Sequence, residues 1–264
     1  MTDENDTGTD ATTAKPRSSR SWIGAGLAAA VLVGLFLLVG WSVHASRMNS
    51  RLLTTDPDQL TRYPELVSYA VDMARPVYAK RCASCHGAQM QGDQSKGAPN
   101  LKDSIWLYDD GGVGDLERTI LYGIRSGNAK SRNITDMPAL GRTMQLSSAE
   151  IEDVTTFVLS LTHPQQDPAA VARGSAIFEN KGVCYDCHSA DAGGNPDYGA
   201  PAFTDQDWLY GGSREAIRRS ISDGRHGHCP AWIGTLKPAV IRSLAVYLHQ
   251  VSHKPAAPQG SPHG

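Results

Sequence analysis

The chain lacks an excess of charge of either sign. Its 264 residues carry 25 Lys and Arg against 27 Asp and Glu, which gives a formal net charge of −2. A balance this even excludes the basic footprint by which nucleic-acid-binding domains are recognised. Methionine is also scarce, since the chain has six and residues 145–264 contain none. The C-terminal part therefore has no thioether of its own to offer to a metal.

Cysteine is rare as well, with five residues, but four of them lie in two copies of one motif. Cys82-Ala-Ser-Cys85-His86 and Cys184-Tyr-Asp-Cys187-His188 each place a histidine directly after two thiols separated by two residues. This spacing is typical of c-type haem attachment, in which the thiols bond to the porphyrin and the imidazole binds the iron. A single copy could also be a zinc half-site or a redox dithiol. In the haem interpretation Cys229 has no disulfide partner.

The two motifs belong to an internal duplication with a displacement of 102 residues. The same displacement carries Gly97-Ala98-Pro99 onto Gly199-Ala200-Pro201, and Trp106-Leu107-Tyr108 onto Trp208-Leu209-Tyr210. A constant offset across three motifs indicates a repeated domain. The sequence therefore predicts two covalently bound haems c.

An uncharged run of 22 residues, from Trp22 to Val43, predicts one transmembrane helix. It is long enough to cross about 30 Å of hydrocarbon, and tryptophans lie near both ends. We expect an uncleaved anchor, although Val43-His44-Ala45 resembles a signal-peptidase site and leaves cleavage as the alternative. Because bacteria attach haem c outside the inner membrane, we expect a single-pass protein of that membrane with its haem domains in the periplasm.

The whole pattern predicts a mainly α fold, an N-terminal transmembrane helix followed by two tandem cytochrome c domains. In each domain, apolar residues at helical spacing precede and follow the haem motif, and we expect these terminal helices to enclose the haem. Ser147-Ser148-Ala149-Glu150 is a capping box at the start of one of them. The predicted segments are a cytoplasmic polar tail (1–21), the anchor (22–43), a tether (44–68), the first domain (69–162), the second domain (163–253) and a flexible tail (254–264).

Met137 is the predicted distal ligand of the first haem, with Met144 and Met90 as alternatives, because His/Met ligation suits an electron-transfer haem. Alignment of the two copies places Cys229 opposite Met137. The second haem therefore cannot have His/Met ligation unless the first domain lends a side chain. Its candidates are Cys229, His228, His226 or an open position, and thiolate ligation by Cys229 would place the potential of the second haem well below that of the first.

These features, together with Pro230-Ala231-Trp232, resemble the dihaem subunit III of cbb3-type cytochrome c oxidases from about Val71 to Val251. The resemblance implies that Cys82, Cys85, His86 and Met137 serve one haem and that Cys184, Cys187 and His188 serve the other. Cys229 departs from the family, which has methionine at its position.

By that resemblance, the chain is a non-catalytic subunit that passes electrons from a periplasmic cytochrome c donor towards a monohaem cytochrome c subunit and the haem-copper catalytic subunit. Two alternatives stay open. One is a free-standing membrane-anchored carrier for another reductase, and the other is an oxidoreductase similar to dihaem thiosulfate dehydrogenases, which use a His/Cys haem.

Overall fold

A computed structural model describes residues 20–205 and 207–253. Most of the predicted N-terminal tail (residues 1–19) and the predicted C-terminal tail (254–264) lie outside the described residues. In the described ranges the regular structure is helical, with isolated bridge pairs and no β-strand, which confirms the mainly α fold class. The helices are α1 (Arg20–Thr54), α2 (Pro64–Arg81), α3 (Ala83–His86), α4 (Val113–Tyr122), α5 (Ser148–Ser160), α6 (Pro168–Ala176), α7 (Tyr185–His188), α8 (Arg214–Asp223) and α9 (Pro238–Ser252).

The chain divides into two units, residues 1–47 and 48–264. The described part of the first unit is the helix α1 up to Arg47. Residues Leu27–Thr54 are long and apolar enough to cross a membrane, with a mean hydropathy of 2.1. Large apolar side chains on this helix are exposed, including Phe36 at 77% and Trp41 at 71%. Such a surface is suited to lipid, as predicted for the anchor, but the helix continues past Val43 to Thr54.

In the second unit, the segment predicted as a tether is helical and packed. Leu52 and Leu60 are fully buried, and a 3₁₀ turn over Pro57–Arg62 separates α1 from α2. The side chain of Asp56 accepts a hydrogen bond from the amide of Asp58 at 3.0 Å and so caps this turn. The prolines interrupt the helix as expected, and the buried leucines fix the interrupted segment to the core.

The second unit has two hydrophobic clusters. In the first cluster, α2 and α4 both pack on α9, and the buried residues are Leu66, Ala70, Ala74, Tyr78, Val113, Leu116, Leu244 and Leu248 with their neighbours. In the second cluster, α5 packs on α6 and α8, with buried Leu140, Ile151, Val154, Val158, Phe178, Ile217 and Ile221. A π-helical turn over Ile177–Lys181 contributes Phe178 to this cluster.

The predicted pairing of terminal helices within each sequence repeat is therefore wrong. Helix α5 follows the first haem motif in the chain but packs with the second repeat, and α9 ends the second repeat but packs with the first. We call α2, α3, α4 and α9 the first compartment, and α5, α6, α7 and α8 the second compartment. Each compartment combines the N-terminal part of one repeat with the C-terminal helix of the other. The boundaries at 162 and 253 stay predictions about sequence repeats.

The start of α5 has the predicted capping box. The Ser147 hydroxyl accepts a hydrogen bond from the amide of Glu150 at 3.3 Å, and the Glu150 carboxylate accepts one from the amide of Ser147 at 2.8 Å. Lys181 adds an ion pair to Glu150 at 2.6 Å, which connects α5 to the turn after α6. These bonds fix the helix that covers the second compartment.

Candidate functional site

The first motif is a single helical turn, α3, directly after α2. The amides of Cys85 and His86 donate to the carbonyl of Cys82 at 3.1 and 3.0 Å. This turn places both thiols on one side, because residues three apart in a helix share a face. The Tyr78 hydroxyl donates to the carbonyl of Gly87 at 2.7 Å and holds the end of the turn.

The second motif repeats this geometry in α7. The amides of Cys187 and His188 donate to the carbonyl of Cys184 at 3.2 and 2.9 Å. The ring of His188 also stacks on Phe203, with a centroid distance of 4.2 Å. Both motifs therefore form the helical turn that haem attachment needs.

Each motif histidine is oriented by a proline carbonyl. The Nδ1 of His86 lies 3.1 Å from the Pro99 oxygen, and the Nδ1 of His188 lies 3.0 Å from the Pro201 oxygen. Donation from Nδ1 leaves Nε2 without a proton and free to bind a metal. Burial lowers the pKa of both imidazoles, more than these hydrogen bonds raise it. Both rings are therefore neutral at pH 7, which is the form that ligates iron.

Three of the four motif thiols are partly buried. Burial raises the pKa of Cys82 and of Cys184 to about 11, and it raises the pKa of Cys187 as well. These thiols are therefore protonated at neutral pH. Cys85, the remaining motif thiol, is exposed.

Both motifs line one cavity of about 740 Å³. Its wall contains Cys82, Cys85 and His86 together with Cys184, Cys187 and His188. The repeated aromatic residues are there too, since Trp106, Tyr108, Trp208 and Tyr210 line the same space. The Tyr210 ring lies against Gly97 and the Tyr108 ring against Gly199, so each repeat contributes a tyrosine to the loop of the other.

The residues of this cavity fit haem. The paired thiols of each motif are placed to bond to a porphyrin, and each motif imidazole has a free Nε2 that can bind its iron. Trp106 lines the cavity with its ring, but its Nε1 is buried against Gly111 and has no hydrogen-bond partner among the described residues. Haem c, when bound, supplies a one-electron Fe(III)/Fe(II) couple.

Of the three candidate methionines, Met137 lies at the cavity. Met144 is 89% exposed, and Met90 is buried in the first hydrophobic cluster. Met137, however, packs against the second cluster, which Cys184 also contacts. The segment that carries Met137 therefore lies in the second compartment, whereas the sequence assigned Met137 to the haem of the first motif.

Cys229 lies in the other compartment, near the first motif. Burial, followed by the nearby Cys82 and Cys85, raises the pKa of the Cys229 thiol to about 11. Cys229 therefore lies near the first motif, whereas the sequence made it one of the candidate ligands of the second haem. His228 also lines the cavity. His226 is exposed and its Nδ1 lies within hydrogen-bond distance, 2.7 Å, of the carboxylate of Asp136.

Arg125 and Arg225 also line the cavity, and the sequence motifs did not identify them. Arg125 donates from Nη1 to the carbonyl of Thr135 at 3.0 Å, and its Nε lies 3.4 Å from the carboxylate of Asp136. The Arg225 guanidinium stacks over the Tyr210 ring at 4.1 Å. Arg125 follows Gly123 at the end of α4, and Arg225 follows Gly224 at the end of α8. This repeated position after a helix-ending glycine is the sequence signal that could have identified both arginines.

Two protein families match the chain, one in each repeat. Residues 72–162 match the cytochrome c family, and residues 169–248 match the family described as cytochrome c oxidase, cbb3-type, subunit III. The two matched ranges contain the first and second motif respectively. They confirm two tandem cytochrome c domains at the level of sequence, and such domains carry covalently bound haem c.

Several relatives are similar to the chain over about two thirds or more of their length. A cbb3-type cytochrome c oxidase subunit FixP from Bradyrhizobium sp. is 38% identical over 201 residues, which cover 76% of this chain and 67% of the relative. A cbb3-type cytochrome c oxidase subunit CcoP from Cereibacter sphaeroides is 35% identical over 202 residues, 76% of this chain and 68% of the relative. A FixP subunit from Sinorhizobium medicae is 32% identical, and the match covers 83% of this chain and 73% of the relative.

Proposed function

The chain belongs to the CcoP/FixP family of cbb3-type cytochrome c oxidase subunits, and from this premise we propose that it passes electrons from a periplasmic cytochrome c to the oxygen-reducing core of such an oxidase. The family establishes the coarser role, a membrane-anchored cytochrome c that transfers electrons. The donor, the direction of transfer and the number of haems are the proposed parts.

One observation supports the proposal most directly, namely that both Cys-x-x-Cys-His motifs line the same cavity. Two haems attached there would lie next to each other inside one protein wall. Electron transfer between redox centres is faster over shorter distances, so a shared cavity favours rapid passage from one haem to the other. We therefore propose two haems c, one on each motif.

The proposed partners follow from the family. Oxidase subunits are the partners of its named members, and for this chain we propose the haem-copper catalytic subunit and the monohaem cytochrome c subunit. Because haem c is attached outside the bacterial inner membrane, we further propose that residues after α1 are periplasmic. The exposed apolar surface of α1 supports a membrane location.

Purification of the tagged full chain from detergent-solubilised membranes of its own bacterium tests this function. We expect the catalytic haem-copper subunit to co-purify, and the complex to consume oxygen with reduced cytochrome c as donor. A variant with all four motif thiols changed to serine should lose this activity to background, whereas the exposed-site control Met144→Ala should keep it. A chain that purifies without a haem-copper partner, while oxygen uptake by the membranes is unaffected by its deletion, would favour the free-standing carrier.

A further inference from the structure

The charges around the two motifs differ, although the motifs occupy equivalent positions in the duplication. Residues 79–102, around the first motif, contain four Lys or Arg and one Asp. The equivalent residues 181–204, around the second motif, contain one Lys and three Asp. That one cation, Lys181, is paired with Glu150 at 2.6 Å. The first motif therefore lies in a basic stretch of the chain and the second motif in an acidic one.

The difference extends to exposed residues at the mouth of the cavity. Arg81 and Lys96 line the cavity beside the first motif and are exposed. The positions 102 residues later hold Val183 and Tyr198, which also line the cavity and are 51% and 37% exposed. Where the first repeat presents two cations, the second repeat therefore presents an aliphatic and an aromatic side chain. Tyr185, inside the second motif, is 40% exposed and enlarges this apolar surface.

Three exposed aspartates accompany these apolar side chains, namely Asp186, Asp191 and Asp197. None of them forms an ion pair within the part of the chain that the structure describes. Asp186 also lines the cavity, as Tyr198 does. The second motif is thus bordered by exposed apolar side chains and by carboxylates without a cation. We call this set the acidic face, which consists of Val183, Tyr185, Asp186, Asp191, Asp197 and Tyr198.

We propose that the acidic face is the docking surface for the electron donor, a redox protein whose cofactor edge is apolar and surrounded by lysines. Protein interfaces commonly have an apolar, aromatic centre and a polar rim, which is the composition of this face. Opposite charges on the two rims steer the partners together. The inference rests on the proposed electron-transfer function and names the motif at which the electron enters.

The first motif is unsuited to the same donor. Three exposed cations near it have no ion-pair partner among the described residues, and a lysine-rich donor would meet like charges there. These cations are Lys80, Arg81 and Lys102. Leu52 and Leu60, in the segment that follows the anchor, also pack in the first hydrophobic cluster. The compartment of the second motif has neither feature.

The step at the acidic face is the transfer of one electron. The docked donor is oxidised by one electron, and the ferric haem attached at Cys184 and Cys187 is reduced to the ferrous state. No covalent bond forms or breaks. Because electron transfer is faster over shorter distances, a donor held at the mouth of the cavity beside this motif is in the productive position.

Neutralisation of two aspartates tests the docking surface. The haem-loaded full-length chain in detergent is titrated with oxidised mitochondrial cytochrome c, a basic probe, and binding is measured by calorimetry at low ionic strength. The variant Asp186→Asn/Asp197→Asn should bind about fivefold more weakly, because charges at the rim of an interface control electrostatic association. The matched control Asp72→Asn/Asp110→Asn removes the same charge from exposed residues outside the acidic face and should bind as the unaltered chain does.

Equal weakening in both variants would show that only the net charge matters, and unchanged binding in the test variant would place the donor elsewhere. Either result overturns the proposal, as does an unaltered chain that does not bind the probe. Stopped-flow mixing with reduced cytochrome c gives a second readout, in which the rate of haem reduction should fall about fivefold in the test variant alone. Binding at the acidic face without reduction of any haem would instead refute the direction of electron transfer in the proposed function.

Discussion

His86 and His188 use the same device, an Nδ1 atom bonded to a proline carbonyl, to present Nε2 to the cavity. The two Pro residues belong to the repeated Gly-Ala-Pro motif, so the duplication preserved the ligand and the group that orients it. The indole of Trp106 packs against Gly111, and its buried Nε1 has no hydrogen-bond partner among the described residues.

Arg242 is one of the residues that join the exchanged helix α9 to the first compartment. Its Nε donates to the Glu117 carboxylate at 2.6 Å, and its Nη1 donates to the carbonyls of Leu52 and Thr55 at 3.2 and 3.1 Å. The side chains of Arg242 and Glu117 are only 11% and 13% exposed. Removal of one partner leaves the other charge buried and unpaired.

We therefore expect Arg242→Ala to lower the free energy of unfolding by about 3–5 kcal/mol. Urea denaturation of the haem-loaded chain, followed by the circular dichroism of its helices, measures this loss. The matched control is Arg142→Ala, which removes an arginine that is 71% exposed and paired with Asp223 at 3.1 Å. The control should unfold at the same urea concentration as the unaltered chain, and an equal loss in both variants would contradict the structural role of Arg242.

At the scale of the helices, the two repeats are joined because each packs a helix of the other. Helix α9 supplies Leu244 and Leu248 to the cavity wall, on the side of α2 and α4. Helix α5 supplies Val154 and Val158 on the side of α6 and α8. Neither repeat encloses its own motif, so each compartment depends on a helix from the other half of the chain.

A chain that ends at Lys237 tests this dependence because it removes only α9. In the exchanged arrangement the haem of the first motif loses its cover, although α9 belongs to the second repeat. We expect that haem to become high-spin and to bind added cyanide at least tenfold faster than in the intact chain, while the haem of the second motif stays low-spin.

The truncation is also made in the variants Cys82→Ser/Cys85→Ser and Cys184→Ser/Cys187→Ser, each of which can attach only one haem. Their spectra show which haem gives which signal. The control chain, which ends at His253, keeps α9 and should behave as the full-length protein does. If the haem of the second motif is the one that opens, then α9 covers its own repeat and the exchange of helices is refuted.

At the scale of the whole molecule, membrane attachment and haem binding are assigned to different units of the chain. The exposed apolar part of α1 lies in residues 27–47, whereas Leu52 and Leu60 are fully buried in the unit that begins at Met48. Residues 48–62 therefore belong to the haem-binding unit, although sequence alone placed them in a tether.

Removal of residues 1–47 should release the chain into the soluble fraction without loss of its folded stability. Removal of residues 1–62 should also release it, but it deletes Leu52 and Leu60 from the core. Each buried leucine contributes about 2–5 kcal/mol when it is truncated to alanine, so we expect the second truncation to be less stable by at least about 4 kcal/mol. Ultracentrifugation and urea denaturation measure the two properties, and equal stability of the two truncations would show that residues 48–62 are only a tether.

The sequence by itself determined the features that are encoded within a few neighbouring residues. Two thiols and a histidine in one helical turn identify a haem motif wherever the turn lies, and an apolar run identifies a membrane helix by its length. The capping box at Ser147 and Glu150 is equally local, and the structure confirms it. Family membership followed from the same short motifs.

Only the tertiary structure decided which helix covers which motif and on which side Met137 lies. In a duplicated chain, an apolar face on α2 has two sequence-equivalent partners, α5 and α9, and periodicity shows that a face is buried without showing what buries it. The sequence indicated only that the second haem cannot have His/Met ligation unless the first domain lends a side chain. The position of Met137 depends on backbone bonds between Met137 and Arg225 and between Leu140 and Ile221. These partners are more than 80 residues apart in the chain and become neighbours only when α5 and α9 exchange places.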